Sequence, residues 1–251
     1  MPVARGRLDG QSETCFTHSD LSPPSSERAR HYWEVPEELL TPAWAEKRRL
    51  ASGLRELVEL CVTTQAGEAE LALARRGVED ALEQLRKQPR RTFQEGFPEC
   101  KGLDDLAVYT DRATLVGACN PYAPPMALSF ENGTAVAHVT FGPVYEGAPG
   151  FVHGGIVAAA FDQVFGYLQV RLETPALTRV LTVHYQKPTP FCSELRLEAK
   201  FERSEGRRHY VVGQLFARGE VTAEAEGVFV ALDPSAFHEL FRAVNRPNRS
   251  E

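Results

Sequence analysis

The amino-acid sequence predicts an α+β fold in which a curved antiparallel sheet wraps one central helix, with a helical arm on its N-terminal side. Three observations carry that prediction. From about residue 103, apolar residues alternate with polar ones in several short runs, the signature of half-buried strands. Only one helical segment, roughly Gly154 to Val170, interrupts those runs. That segment has almost no polar face, and a helix apolar all round must be surrounded rather than lie on a surface.

In chain order, residues 1–35 are rich in Ser, Pro, Gly and charge, ending in Leu21-Ser-Pro-Pro-Ser-Ser26. Such a stretch buries too little apolar surface to offset its ordering entropy and is expected to be largely disordered. Residues 36–90 form the arm. Thr41-Pro42 is a helix N-cap followed by proline at the first helical position. Leu50, Leu54, Leu57, Val58 and Cys61 then recur at helical spacing, and a second helix fits Glu68 to Lys87, with Leu71, Ala74, Val78, Leu82 and Leu85 on one stripe. Pro89 ends it. The arm is expected to pack against the main domain or a partner subunit, and no chemistry is assigned to it.

The main domain spans 100–235, with 236–251 as a C-terminal tail. Met126–Phe130 and Thr134–Phe141 flank Asn132-Gly133, a strong two-residue hairpin signal. A Pro/Gly-rich loop, Gly142 to Gly150, leads to the helix. Strands are expected at Arg179–Pro188, Glu194–Ser204, His209–Arg218 and Glu220–Leu232, with turns at Glu205-Gly206 and Gly219. Asn120-Pro121 and Pro124-Pro125 read as structural turns. The order is ββ-α-ββββ.

Composition removes several function classes. A net charge of -6 argues against broad nucleic-acid or anionic-membrane binding, and a polyanionic ligand needs a local basic patch. The five cysteines, Cys15, Cys61, Cys100, Cys119 and Cys192, show no metal-ligand or CxxC spacing and read as free thiols of a reducing compartment. No apolar run approaches the ~20 residues of a membrane span. Neither a basic-then-apolar leader nor a transit-like stretch stands at the start, so a cytoplasmic location is expected.

Two features of the central helix resist a packing explanation. The first is its start, Phe151-Val-His153-Gly154-Gly155. With 7 His and 19 Gly in 251 residues, composition alone yields His-Gly-Gly about 0.04 times. Bare glycine amides at the positive end of a helix can approach a ligand closely and form an oxyanion hole. A tight loop-to-helix turn is the alternative. The second feature is Asp162, alone in the run Ile156–Phe161 and Val164–Phe165. An unpaired carboxylate there is costly to desolvate. It is either half of a buried salt bridge or a capping partner, or else a reactive group, acting as nucleophile or as general base.

Spacing constrains the rest. His153 and Asp162 are nine residues apart, which is about 13 Å along a helix axis and near-opposite faces. One helix cannot place both on one scissile carbonyl. Two antiparallel helices of a dimer can, each giving its amides to the other's aspartate.

His153-Gly154-Gly155 with Asp162 resembles the hotdog-fold thioesterases of the phenylacetate-pathway and 4-hydroxybenzoyl-CoA thioesterase group. The segment Leu177-Thr178-Arg-Val-Leu-Thr-Val-His-Tyr185-Gln-Lys187-Pro188-Thr-Pro190-Phe-Cys-Ser193 is most similar to the acyl-CoA thioesterases related to the carboxyl-terminal modulator protein. The match covers about residues 115–234. It implies an α+β hotdog fold, hydrolysis of acyl-coenzyme A, no cofactor beyond the coenzyme A of the substrate itself, and a homodimer or dimer of dimers. By that resemblance Asp162 attacks the thioester or activates a water, and the Gly155 amide, with Gly154, polarises the carbonyl. His153 positions the loop, and Thr178 assists from the facing subunit. Several relatives carry asparagine six residues before the His-Gly-Gly histidine, where this chain has Gly147. Lys187, Arg203, Arg207 and Arg208 are the cations available to coenzyme A phosphates, and each also reads as a solvated surface charge. His184 reads as a sheet residue. Two rival readings stand: an acyl-thioester hydratase or dehydratase, and a non-hydrolytic acyl-CoA-binding regulator.

Overall fold

A computed structural model of the chain describes residues 40–90, 110–124, 126–171 and 176–232. The expected disordered segment 1–35, the C-terminal tail and Pro125 lie outside the described residues. Among the described residues, three long helices, α1 (Pro42–Thr63), α2 (Glu68–Arg86) and α3 (Gly154–Arg171), accompany six strands. The strands are β1 (Ala127–Glu131), β2 (Thr134–Thr140), β3 (Ala176–Tyr185), β4 (Glu194–Glu205), β5 (Arg208–Ala217) and β6 (Glu220–Ala231).

The strands make one sheet in the order β1-β2-β4-β5-β6-β3, and each neighbouring pair is antiparallel. The hairpin between β1 and β2 turns on Asn132 and Gly133, both with positive φ, as the primed turns of tight hairpins require. Irregular registers at Phe201/Arg203, Leu215/Phe216 and Thr178/Val180 bend the long strands. The curvature lets the sheet close around α3. Phe161, Val164, Phe165 and Leu168 of the helix are fully buried against Leu195, Leu197, Leu215 and Phe229.

The tightest contact is at Phe165. A Cβ on Gly213 or on Gly227 would come within 2.7 Å of its ring. Two glycines on neighbouring strands therefore make the seat into which that ring drops, which fixes how closely helix and sheet approach.

One expectation needs correction. The helix is not surrounded within a single chain. Its buried residues lie on one side, while Gly155 and Asp162 are exposed and Ala158, Ala159, Gln163 and Gly166 are half-covered. The open side adjoins β3, an edge strand whose apolar residues Leu177, Val180 and Tyr185 are 47%, 48% and 54% exposed. A helix without a polar face predicts a cover, and one copy of the chain supplies only half of it.

The arm divides in two. In α1, Thr41 Oγ1 accepts the Trp44 amide at 3.2 Å, the expected cap, and Pro42 opens the helix. Trp44 and Ala51 are buried against the domain. Arg48 and Arg55 tie the helix to the segment before β1: Arg48 to Asp111, and Arg55 to the carbonyls of Ala118 and Ala123. By contrast, α2 has no buried residue. Among the described residues no helix is long and apolar enough to cross a membrane.

Candidate active site

The chain enters α3 through a small loop that folds back on itself. Glu146 bridges to Val152, the Gly147 amide donates to the Phe151 carbonyl at 2.9 Å, and the His153 amide donates to the Tyr145 carbonyl at 2.8 Å. His153 is thereby pressed onto Gly147, where a Cβ would sit 2.7 Å from the His153 Cα. The glycine at this position is thus a packing requirement. An asparagine there would require the histidine loop to shift.

At the helix start the two glycine amides differ. The Gly155 N–H donates to Nδ1 of His153 at 3.0 Å. The expectation that Gly155 supplies the principal free donor is therefore modified: its proton is already held by the neighbouring imidazole. The Gly154 N–H has no acceptor among the described residues. An imidazole that accepts at Nδ1 carries its ring proton on Nε2, so His153 presents a second donor on its exposed side. The Tyr185 hydroxyl donates to the Gly154 carbonyl at 2.7 Å and anchors the turn to the end of β3. Tyr185 was not singled out from sequence, because a tyrosine in an alternating strand carries no mark of its partner.

Two turns further along the helix stands Asp162. It is exposed, not enclosed by its apolar neighbours as expected. The Thr178 hydroxyl donates to Oδ1 at 2.8 Å. That bond lies within one chain, so Thr178 holds the aspartate of its own copy. Oδ2 is left open, and no lysine or arginine pairs with Asp162 among the described residues. Thr178 shares a rung of the sheet with Phe229 and His209. All three side chains reach the helix side: Phe229 packs on Phe165, and His209 Nδ1 meets Gln169 Oε1 at 2.7 Å.

The seam between α3 and β3 therefore has two ends. His153, Gly154, Gly155 and Tyr185 gather at one, and Asp162 and Thr178 at the other. Gly154 and Asp162 are about 12 Å apart along the helix axis. The cations are scattered. Lys187 follows Tyr185 and pairs with Glu220 at 3.0 Å. Arg203 is held by Glu202 and Glu205 and lies over Tyr210. Arg207 and Arg208 sit at the β4–β5 turn, where Arg208 faces Val230, which in turn faces Leu177. Alternation along the strand turns Arg208 to the sheet face opposite His209, away from α3 and Asp162. A single rim of positive charge does not form in one copy.

The cysteines also depart from expectation. Cys61 and Cys119 are free, but Cys192 is disulfide-bonded.

Residues 149–224 match the family described as the thioesterase superfamily. The acyl-coenzyme A thioesterase THEM4 of Xenopus laevis is 35% identical over 95 residues, which span 37% of this chain and 43% of that protein. THEM4 of Bos taurus is 28% identical over 252 aligned positions, covering 92% of each chain. The crystal structure of a thioesterase superfamily protein superposes with a TM-score of 0.64 at 27% identity, over 76% of this chain and 98% of that one.

Proposed function

We propose that the chain, whose residues 149–224 match the thioesterase superfamily, hydrolyses acyl-coenzyme A to a carboxylic acid and free coenzyme A. The observation that carries this reading is the state of Asp162: an exposed carboxylate with one oxygen held by Thr178 and the other free. A structural aspartate in an apolar helix would be buried and neutralised. This one is neither.

In the proposed reaction the free oxygen takes a proton from water as hydroxide adds to the thioester carbonyl. The resulting oxyanion is met by the Gly154 amide and by His153 Nε2–H, both at the positive end of the helix. Collapse breaks the carbon–sulfur bond, and coenzyme A leaves as thiolate, collecting the proton that Asp162 holds. The same oxygen could instead attack directly and form a mixed anhydride that water then cleaves. Label in Asp162 after a single turnover in ¹⁸O-water would identify the second route, with water attacking the aspartyl carbonyl of the anhydride.

The 12 Å between amide and carboxylate means that the acid of one copy works with the amides of another. The uncovered side of α3 and the apolar edge of β3 support a homodimer in which two helices run antiparallel. The similarity to the THEM4 proteins, named acyl-coenzyme A thioesterases, supports the substrate class.

The test is release of free thiol across coenzyme A esters of graded chain length, aliphatic and aromatic. One thiol per acid formed is the expected result. Tight binding of the esters without thiol release would make the protein a binder and end the hydrolytic reading, and hydration of an enoyl ester would move it to the hydratases.

A further inference from the structure

An apolar stripe with no partner among the described residues lies on α2. Leu71, Val78, Leu82 and Leu85 are between 36% and 50% exposed. Taking Leu71 as zero, they fall at about 0°, −20°, 20° and −40° around the helix, a single narrow stripe. α1 leaves it bare, although only Thr64–Gly67 separates the two helices.

What flanks the stripe identifies its partner. On one side, at about 40–80°, lie Glu68, Arg75, Glu79 and Arg86, with charges alternating along the axis. On the other, at about −60° and −80°, lie only Ala74 and Ala81. Two copies of α2 packed antiparallel bring like flanks together, whereas parallel copies set the charged flank against the alanines. The charges suit the first arrangement alone. Reflection of the sequence about Gly77 sends Glu68 onto Arg86 and Arg75 onto Glu79, so all four positions meet an opposite charge at once. Within one chain Arg75 and Glu79 already pair, and both are more than half exposed. The alanine flank lets the backbones approach. Gly77, which costs helix stability mid-element, lies on that same side with open space around it and falls at the crossing point.

We propose that α2 is a self-association element that pairs antiparallel with α2 of a second copy, centred on Gly77. A lone pair of helices this short is marginal in water, so the pairing depends on the folded domains that carry it and raises their effective concentration. It requires nothing of Asp162 or of thioester chemistry.

Cysteine cross-linking of the whole chain tests it, on a Cys61→Ser background to remove the thiol that is exposed among the described residues. Val78 lies next to the proposed centre, so Val78→Cys should form a covalent dimer under mild oxidation at least ~10-fold faster than Leu71→Cys or Leu85→Cys. In those two variants the thiols would be about 18 Å and 24 Å apart. Mixing Leu71→Cys with Leu82→Cys should yield the mixed dimer in preference to either homodimer, because those positions face each other across the centre. Equal cross-linking at Leu71, Val78 and Leu85 would indicate parallel pairing or random collision and overturn the proposal. No dimer from Val78→Cys would overturn it as well.

Discussion

Two aspartates in this chain show how differently one side chain can be used. Asp111, before the sheet, has its side chain 3% exposed and is fully committed: Arg48 grips both oxygens, with its closest contact at 2.8 Å, Trp44 Nε1 donates at 2.6 Å, and the Cys119 thiol donates at 2.9 Å. Asp162 is exposed and has one hydroxyl for company. The first carboxylate spends its hydrogen-bonding capacity on joining α1 to the domain and has none left for a substrate. The second is held by one oxygen and presents the other. Burial with a complete partner set marks a joint, while a held but unneutralised acid marks a site of reaction.

The largest expected effect separates them by function. Asp162→Asn should lower thiol release by about a thousandfold, within the range for a lost catalytic acid or base, while the melting temperature stays within about 2 °C of the parent. A fall in stability matching the fall in rate would turn Asp162 into a second joint. Asp111→Asn should do the reverse. Removing one partner of a buried pair costs about 3 kcal/mol, and for a domain of this size that lowers Tm by roughly 10 °C. The kcat of the protein that remains folded should be unchanged.

Smaller effects sharpen the contrast. Thr178→Ala removes the hydroxyl that orients Asp162, a hydrogen bond to a charged group, and should cost about tenfold in kcat with little change in KM. Loss of binding alone would place Thr178 with the substrate rather than the carboxylate. Tyr185→Phe unties the Gly154 turn and should cost a few-fold, of the order of 1 kcal/mol. The joint predicts a chemical difference too. Burial and the bond to Asp111 push the Cys119 thiol up to about 12. Its thiolate is therefore scarce below that pH, and iodoacetamide at pH 8.5 should label the exposed Cys61 while sparing Cys119.

Much of this was legible in the sequence, and the reasons are local. Period-two runs and the Asn132-Gly133 turn placed each described strand to within a few residues, because alternation and turn chemistry are properties of neighbours. His153-Gly154-Gly155 and Asp162 stood out because each breaks the rule of the helix it sits in. What escaped notice depends on distant pairs. Asp111 lies in a segment with no periodicity, and nothing in its surroundings points to Arg48, 63 positions away. Asp162 was expected to be enclosed because its sequence neighbours are apolar, but those neighbours point into the sheet and the aspartate points out of it. The in-chain bond from Thr178 and the capture of the Gly155 amide by His153 likewise follow only from how β3 and the loop fold back against the helix.

The claim on which the account rests is that the acid of one copy acts with the amides of another. It can be tested by pairing two defective chains. Gly154→Pro removes the unpaired amide proton at a helix position proline tolerates, and Asp162→Asn removes the acid. Each homodimer should be inactive. A heterodimer purified through two different tags restores one intact site of two, and should release thiol at about half the wild-type rate. A heterodimer as inactive as its parents would contradict the shared site.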